Sequence, residues 1–310
     1  MQVNREYYFI VNQKSKTGKA AAIWNELEQV LKDRQISYRA YTTRYAGHAG
    51  KLAKKICEKP GEKYLVVVGG DGTVNEALNG MCDFEHVVFG CVPTGSGNDF
   101  ARGFGLKGTP REILVRMLSS REEGRLDVGQ VTYGEKEQRK FIVSSGVGVD
   151  ADVCRQALDA PIKKVLNKLR LGQLTYGLLT VKTLFSMPLT DAKVTLEDGS
   201  VRHLKKAIFI SAMNFPCEGG GIPMAPRASA TDGKLSCCCV YGIPRWLCFC
   251  LLPVLCLGRH EHVKGFDIIE SGKMKIELEK AMCVHTDGEH CGSWKELEYQ
   301  VLPGLLRVQR

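Results

Sequence analysis

The sequence predicts two domains: a doubly wound α/β domain at the N-terminus, followed by a C-terminal β-sandwich of mainly antiparallel strands. The chain has 310 residues, which exceeds the ~100–200 residues of a usual single domain. Its first third alternates buried-strand patterns with amphipathic helical patterns, as parallel βαβ units do. After about residue 124, strand-like runs separated by turn residues replace this alternation.

The N-terminal domain is expected over residues 1–124. Its elements are a strand at 7–12, a helix at 19–33, a strand at 38–43, a helix at 47–58, a strand at 64–68, a helix at 73–80 and a strand at 87–92. Doubly wound sheets bind ligands at the carboxyl ends of their strands. We therefore expect the segments after Asn12, Val68 and Val92 to lie at the ligand-binding edge.

The second domain is expected over residues 125–294, where runs such as "KAIFISAMN" and "KMKIELEKAMCVH" are typical of strands. "LEDGSV" is typical of a hairpin turn, and helical patterns interrupt the strands at 161–185 and 244–257. Residues 295–310 are expected to return to the first domain and pack on it.

The composition is that of an ordinary globular protein, with 44% hydrophobic and 25% charged residues. Lysine and arginine number 43 against 34 acidic residues, which gives a net charge of +9. A basic excess favours anionic partners, meaning nucleotides, nucleic acid or an anionic membrane surface. Nucleic acid has only the net charge in its favour, so we expect no nucleic-acid partner.

The 13 cysteines do not form a disulfide framework, and "CVHTDGEHC" at 283–291 matches no structural zinc spacing. The first residues, "MQVNREYYFIVNQ", lack the basic and then apolar pattern of a signal peptide. We therefore expect a cytoplasmic protein whose cysteines stay reduced and act as small buried apolar residues.

One apolar segment, "WLCFCLLPVLCLG" at 246–258, raises the question of a membrane. It is shorter than the ~20 residues of a spanning helix and contains Pro253, so we expect no transmembrane segment. Three interpretations stay open: a core helix, a segment that docks on a bilayer, or the wall of an acyl pocket. We favour the core helix.

The run "LVVVGGDGTVNEALNG" at 65–80 places glycines and Asp71 where a buried strand meets a helix. Glycines there let backbone N–H groups approach an anion, and the helix N-terminus adds a favourable dipole. Thr73 and Glu76 have the spacing of a capping box, so we expect the helix to begin at Thr73. The box does not explain Asp71, whose carboxylate suits a role through Mg²⁺ or a nucleotide. A plain tight turn is the alternative.

A second glycine-rich loop, "VPTGSGNDFARG" at 92–103, also follows a strand and leads into a polar helix start at Asn98 and Asp99. Two such loops on neighbouring strand ends would face one cleft. "NQKSKTGKA" is not a Walker A loop, because Ala20 stands where serine or threonine is required.

The run "HTDGEH" contributes Asp287 and Glu289, which stand two residues apart and would share one face of an extended strand. Paired carboxylates can divide a phosphoryl transfer, one taking the hydroxyl proton and the other holding metal or orienting the donor. The alternative is a polar hairpin turn, because D-G is a common turn dipeptide. "EGGGIPMAPRASATDGKLS" at 218–236 is a constrained loop that is long for a connection.

In this order the motifs resemble the diacylglycerol kinase catalytic-domain family, and its soluble bacterial lipid kinases in particular. "GGDGTVNEALNG" is similar to the family's nucleotide motif and "PTGSGNDFARGFG" to its second glycine-rich loop. "GGGIPMAPRASATDGKL" is similar to its second-domain signature and "DGE" to its catalytic motif. GGDGT is shared with NAD kinases and phosphofructokinases, whereas the ordered set is specific.

The resemblance implies a Rossmann-like N-terminal domain of the NAD kinase and phosphofructokinase type, and a β-sandwich, with ATP and lipid meeting between them. The residues that it implies for ATP contact are Asn12, Ser15, Gly18, Thr43, Gly69, Gly70, Asp71, Gly72, Thr73, Asn75 and Ser96. Glu289 would be the general base on the lipid hydroxyl with Asp287 beside it, and Asp71 would act through Mg²⁺. A structural cation would be held by Asp232 and the backbone carbonyls of Ser229 and Lys234. The chain departs from the family pattern at Gln13, Lys16 and Ser236.

The predicted function is ATP-dependent phosphorylation of a lipid hydroxyl, with diacylglycerol as the leading substrate and phosphatidic acid as its product. The alternatives are a kinase of a sphingoid base, ceramide or phosphatidylglycerol, a soluble-substrate kinase such as an NAD kinase, and a non-catalytic lipid- or nucleotide-binding protein. We expect peripheral association with the inner face of the membrane, and the resemblance implies a homodimer. The basic clusters considered for docking are Lys163, Lys164, Lys168 and Arg170, and separately Arg202, Lys205 and Lys206.

Overall fold

A computed structural model describes residues 5–15, 19–120, 122–149, 151–152 and 183–309. The strands are β1 Tyr7–Val11, β2 Tyr38–Thr42, β3 Lys63–Gly69, β4 Val87–Pro93, β5 Glu123–Tyr133, β6 Glu137–Phe141, β7 Ser144–Gly148, β8 Thr190–Leu196, β9 Val201–Met213, β10 Leu235–Tyr241, β11 Phe266–Ser271, β12 Lys273–Thr286 and β13 Glu289–Gln309. The helices are α1 Lys19–Asp33, α2 His48–Cys57, α3 Asp71–Gly80, α4 Asp99–Gly103, α5 Pro110–Ser119, α6 Arg245–Cys250 and α7 Leu252–Cys256.

Four parallel strands form the N-terminal sheet in the order β2-β1-β3-β4. Neighbouring side chains along a strand point to opposite faces, and helices cover both faces of this sheet. On one face Phe9 and Val66 pack with the apolar sides of α1 and α5. On the other face Ile10 and Val67 pack with α2 and α3. This two-sided cover explains why the strand patterns are apolar without alternation.

The C-terminal part consists of antiparallel strand pairs, and the long strand β13 joins it to the N-terminal sheet. β13 pairs with β12 and β5 in antiparallel fashion, and its residue Val308 pairs with Phe89 of β4 in parallel. The main path through the sheet is β11-β10-β9-β7-β12-β13-β4-β3-β1-β2. The last strand of the chain therefore lies beside the N-terminal sheet.

The predicted fold class is confirmed, since an N-terminal α/β domain precedes a β-rich C-terminal domain. The hairpin predicted at "LEDGSV" joins β8 to β9, with Gly199 in the left-handed region at φ 81°. Most of the helical pattern at 161–185 lies outside the described residues. Within the ranges given above, no helix combines the length and the apolar character that a membrane crossing needs.

The predicted start of the third helix is wrong. α3 begins at Asp71, and no side chain caps it. Thr73 Oγ1 instead accepts a hydrogen bond from Asn12 Nδ2 at 3.0 Å, and Glu76 accepts one from the backbone of Ala49 at 3.1 Å. A capping box needs its threonine just before the first helical turn, whereas Thr73 is already the third residue of α3.

The core interpretation of residues 246–258 is right for one side of the segment only. Leu247 and Leu251 pack against the apolar core of the C-terminal domain, and Leu255 is buried in it. Trp246 and Phe249 are exposed to 62% and 47%. An all-apolar pattern cannot indicate from sequence which side of a helix faces solvent.

The cysteines also divide into two groups. Cys237, Cys238 and Cys239 are fully buried in the core, as predicted. Cys82, Cys250 and Cys256 are exposed, so the prediction of burial is wrong for them. No disulfide joins any of the twelve cysteines in the described part of the chain.

Candidate active site

The loops that follow three parallel strands are tied to one another by hydrogen bonds. Asn12, directly after β1, donates to Thr73 of α3 at 3.0 Å. Ser15 Oγ lies 2.8 Å from Thr94 Oγ1, just after β4. The backbone N–H of Thr94 donates to the carbonyl of Gly69 at the end of β3, at 2.9 Å. The predicted ligand edge is thus one connected layer of loop residues.

The two glycine-rich loops touch backbone to backbone. A Cβ added to Gly70 would lie 3.1 Å from the Cα of Gly95, and one added to Gly95 would lie 2.6 Å from the Cα of Gly70. Side chains at these positions would push the loops apart, so their absence permits the contact. The ten-residue helix α3 begins at this contact, and its positive dipole end faces the loops.

Asp71 is the first residue of α3, and its carboxylate joins the two loops. Its Oδ1 accepts a hydrogen bond from the backbone N–H of Phe100 in α4 at 3.1 Å. Its Oδ2 faces Gly97, where an added Cβ would lie 3.1 Å from Asp71 Oδ2 and 3.4 Å from Asp99 Oδ2. One oxygen of Asp71 is therefore hydrogen-bonded to α4, while the other lies near the carboxylate of Asp99.

Asp99 ties the second glycine-rich loop to the C-terminal domain. Its carboxylate oxygens accept hydrogen bonds from the backbone N–H of Gly220 at 3.0 and 2.9 Å, and it forms an ion pair with Arg102. Burial raises the pKa of Asp99 above its usual value, the Gly220 hydrogen bond opposes the rise, and the Asp71 charge adds to it. The constrained loop predicted at 218–236 thus closes onto the first domain.

Asp287 and Gly288 form the two-residue turn between β12 and β13, so the expected hairpin turn is present. Their φ angles are 48° and 82°, and Thr286 pairs with Glu289 across the turn. Two-residue hairpins with positive φ at both central positions favour Asp-Gly. The expectation that Asp287 and Glu289 share one face of an extended strand is wrong. Asp287 lies in the turn itself, whereas Glu289 is the first residue of β13.

Four donors hold the Asp287 carboxylate. Its Oδ1 accepts from the backbone N–H groups of Val143 and Ser144 at 2.8 and 3.1 Å. Its Oδ2 accepts from the N–H of Ile142 at 2.9 Å and from Asn75 Nδ2 at 2.7 Å. Burial raises the pKa of Asp287 above its usual value, and these hydrogen bonds oppose the rise. Because a carboxylate has about four acceptor sites, these four hydrogen bonds saturate Asp287 within the protein.

Glu289 lies beyond the turn, against the first turn of α3. A Cβ added to Gly72 would lie 2.5 Å from Glu289 Oε1. These residues border a cleft of about 480 Å³. The cleft is lined by Asn12, Lys14, Ser15, Thr43, Arg44, Tyr45, Ala46, Gly70, Gly72, Thr73, Glu76 and Glu289. A carboxylate from the C-terminal domain and the first glycine-rich loop therefore share one cleft.

The predicted nucleotide contacts fall into four groups. Those that line the cleft are Asn12, Ser15, Thr43, Gly70, Gly72 and Thr73. Gly69 at the end of β3, Asp71 at the start of α3 and Ser96 in the second glycine-rich loop are not on its lining. Asn75 is fully buried behind it, donating to Asp287 and accepting from Arg139. Gly18 lies outside the described residues.

The sequence-based prediction missed two cations and an aromatic ring at the cleft: Lys14, Arg44 and Tyr45. Lys14 Nζ donates to the backbone carbonyl of Arg44 at 3.3 Å, which links the loops after β1 and β2. These three residues follow the carboxyl ends of two parallel strands, and that position could have identified them from the sequence. The basic pair places positive charge at the loops after β1 and β2, where it can contact an anionic ligand, while Glu76 and Glu289 lie on the same lining.

The residues predicted to hold a structural cation have partners within their own loop. Asp232 Oδ1 accepts from the backbone N–H of Lys234 at 3.0 Å, and Ser229 Oγ makes a hydrogen bond in the same loop. The buried carboxylate at this loop is Asp127, which accepts from the backbone N–H of Gly233 at 2.8 Å. Sequence reasoning missed Asp127, because a lone acid within a strand pattern carries no motif.

Over the residues that the structure describes, no three His, Cys, Asp or Glu side chains are grouped to hold a metal ion. Carboxylate oxygens, the ligands that Mg²⁺ prefers, are nevertheless present where Asp71 and Asp99 flank Gly97. Mg²⁺ usually keeps several waters and binds one or two carboxylates together with substrate phosphates. This pair therefore fits a magnesium ion that arrives with a nucleotide.

Residues 6–131 match the family model of the diacylglycerol kinase catalytic domain. Residues 143–310 match the model of the YegS C-terminal NAD kinase beta sandwich-like domain. Among similar proteins of Bacillus subtilis (strain 168), "Putative lipid kinase YtlR" is 27% identical over 291 residues, covering 93% of this chain and 94% of the relative. "Diacylglycerol kinase" is 29% identical over 275 residues, covering 86% and 84%.

Two solved structures are also similar to the chain. "Crystal structure of a putative diacylglycerol kinase from Bacillus anthracis str. Sterne" has a TM-score of 0.79 and 22% identity, covering 98% of this chain and 94% of that one. An NAD kinase from Archaeoglobus fulgidus in complex with ATP has a TM-score of 0.52 and 11% identity, covering 99% and 93%. At these identities the likeness shows a shared two-domain fold.

Proposed function

Because the chain belongs to the diacylglycerol kinase catalytic-domain family, we propose that it is an ATP-dependent lipid kinase with diacylglycerol as its acceptor. The reaction would transfer the γ-phosphoryl group of ATP to the free hydroxyl of the lipid and yield phosphatidic acid. The observation that carries the proposal is the position of Glu289, whose carboxylate meets the N-terminal turn of α3 in the cleft lined by the first glycine-rich loop.

The nucleotide side of the cleft suits a polyphosphate. The backbone around Gly70 is free of side-chain bulk, and the N-terminus of α3 contributes a favourable dipole. Lys14 and Arg44 add positive charge from two further loops. We propose that the ATP phosphates occupy this end, with contacts from Asn12, Ser15, Thr43 and Thr73 and from the adjoining Gly69 and Ser96. Gly18 stays a predicted contact.

We propose that Asp71 binds the magnesium ion, with the carboxylate of Asp99 close by on the other side of Gly97. When bound there, Mg²⁺ would neutralise charge on the phosphates of ATP. The chain's own contribution is to hold one Asp71 oxygen on the N–H of Phe100, so that the other oxygen keeps a fixed direction. This arrangement supports the predicted role of Asp71 through Mg²⁺.

Glu289 is proposed as the general base. Its carboxylate would take the proton of the lipid hydroxyl while that oxygen bonds to the γ-phosphorus and the bond from the γ-phosphorus to the bridging oxygen of ADP breaks. Asp287 contributes by fixing the turn, and Asn75 by fixing Asp287. We therefore propose positioning roles for Asp287 and Asn75 instead of contact with substrate or ATP.

A kinase of NAD is the second candidate, because the fold is shared with an NAD kinase. Other lipid hydroxyls, on ceramide, sphingosine or phosphatidylglycerol, are compatible with the same chemistry. We propose that the enzyme works in the cytoplasm at the inner face of the membrane, where its lipid substrate lies.

The test is an assay with ATP labelled at the γ-phosphate against diacylglycerol, ceramide, sphingosine, phosphatidylglycerol and NAD. We expect label in phosphatidic acid when diacylglycerol is offered. Label in another lipid alone would correct the acceptor. Label in NAD alone, or in no product, would overturn the proposed function.

A further inference from the structure

The helices α6 and α7 present an apolar face to the outside of the C-terminal domain. Trp246, Phe249 and Leu257 are exposed to 62%, 47% and 68%. Cys250 and Pro253 are exposed as well, so outward positions recur at i, i+3, i+4, i+7 and i+11, the spacing of one helical side. We call these five residues the apolar face.

The opposite side of the same helices is packed in the domain. Leu247 and Leu251 pack against the core cluster, and Leu255 is buried. A surface helix of a globular protein normally carries polar residues on its outer side. These helices are apolar on both sides. This is typical of a segment that packs on the protein core with one side and contacts another apolar environment with the other.

A neighbouring main-chain segment extends the apolar face. The guanidinium of Arg245, at the start of α6, donates to the backbone carbonyls of Phe185 and Met187. Phe185 is itself 50% exposed. Large exposed apolar side chains are therefore concentrated at this end of the C-terminal sheet. The guanidinium of Arg245 is engaged by the two backbone carbonyls.

Two exposed lysines lie next to the apolar face, together with one exposed carboxylate, Asp191, which accepts a hydrogen bond from the backbone N–H of Lys206 at 2.8 Å. The N–H of Gly242, just before α6, donates to the carbonyl of Lys206 at 3.4 Å, so β9 brings Lys205 and Lys206 beside the start of the helix. Both lysines are exposed, and neither forms an ion pair with a carboxylate of the described residues. The acid closest in sequence after α7, Glu261, is already paired with Arg227 at 3.0 Å.

We propose that the apolar face and the pair Lys205 and Lys206 dock the protein on an anionic phospholipid bilayer. Trp, Phe and Leu beside lysine is the composition of segments that lie in a membrane interface. α6 and α7 would insert their outer side to the level of the acyl boundary, while the lysines contact anionic headgroups. As a docking site on the membrane that holds the substrate, this proposal rests on the proposed function.

Binding to vesicles in the absence of ATP tests the docking face separately from catalysis. We expect the full chain to sediment with vesicles of phosphatidylcholine and phosphatidylglycerol, and Trp246 fluorescence to shift to the blue. The double variant W246Q/F249Q should bind at least about tenfold more weakly. K205Q/K206Q should lose roughly fivefold per lysine, and only on the anionic vesicles. K54Q/K55Q, two exposed lysines of α2, is the matched control and should bind as wild type.

Turnover of a water-soluble, short-chain diacylglycerol separates the two proposals. We expect W246Q/F249Q to keep wild-type turnover on that substrate and to lose turnover on diacylglycerol in vesicles. Equal vesicle binding by wild type and W246Q/F249Q would overturn the docking face and leave the proposed function standing. The docking face would also be overturned if light scattering showed a wild-type dimer that W246Q/F249Q converts to a monomer while vesicle binding stays unchanged. Absence of turnover on every substrate would instead refute the proposed function.

Discussion

Substituting Gly72 by alanine should damage catalysis without damaging the fold. Gly72 is the second residue of α3, and its Cα faces the proposed base. A Cβ at this position would lie 2.5 Å from Glu289 Oε1 and 3.5 Å from its Cδ, and no other described atom outside Asp71, Thr73 and the backbone of α3 would lie within 4 Å. Among residues distant in sequence, the substitution therefore acts on Glu289.

The size of the effect follows from these distances. A carbon and an oxygen without a bond between them need roughly 3.2 Å or more, so the Glu289 carboxylate must retreat by about 0.7 Å or more. A misplacement of about 1 Å at a reacting group can cost ~100-fold in rate. We expect kcat to fall by about 10- to 100-fold. Alanine is favoured over glycine in a helix by ~0.5–1 kcal/mol, so the melting temperature should stay level or rise.

The assay is the rate of phosphoryl transfer from ATP to short-chain diacylglycerol, measured beside a thermal melt of each variant. Gly124→Ala is the matched control, because its added Cβ would meet only Val308 Cγ2, at 3.7 Å. That variant should retain wild-type kcat. If Gly72→Ala kept wild-type kcat with a normal melt, the proposed contact between Glu289 and the reacting hydroxyl would be refuted.

Three further predictions concern carboxylates away from the reacting atoms. Asp287→Ala would strand four donors at the β12–β13 turn, so urea unfolding should show a loss of about 2–4 kcal/mol; an unchanged midpoint would contradict the positioning role. The N–H of His86 donates to Asp83 and holds the pKa of Asp83 below its usual 3.8. A lowered folded pKa contributes stability above pH 3.8 that is lost as the pH falls through the folded value. The stability difference between wild type and Asp83→Asn should therefore shrink as the pH falls below 3.8 and through the lowered folded pKa, and a constant difference would refute this. If a cation binds at Asp232 with the carbonyls of Ser229 and Lys234, divalent ions should raise the melting temperature of wild type but not of Asp232→Asn.

Much of the site could be predicted from sequence because chain order and strand geometry determine it. Parallel strands separated by helices must end at one edge, so the loops after β1, β3 and β4 had to meet. Glycines at 70 and 95 mark the place where two of those loops come into contact. The order of the motifs also identified the family correctly.

Other features depend on contacts that no local pattern records. Asp287 and Glu289 look equivalent in the sequence, and only the left-handed turn at 287–288 turns one inward and leaves the other at the cleft. Thr73 has the spacing of a cap but is bound by Asn12, 61 positions earlier in the chain. The outward side of α6 and α7 was equally hidden, because a segment that is apolar on every side has no period to read.

Glu289 is proposed to take the proton of a lipid hydroxyl during phosphoryl transfer from ATP. The most direct measurement is the rate of label transfer from ATP to short-chain diacylglycerol by wild type and Glu289→Gln, with urea unfolding of both. We predict a loss of about 10²- to 10⁴-fold in kcat at unchanged stability. A Glu289→Gln protein that transfers phosphate at the wild-type rate would show that Glu289 is not the general base.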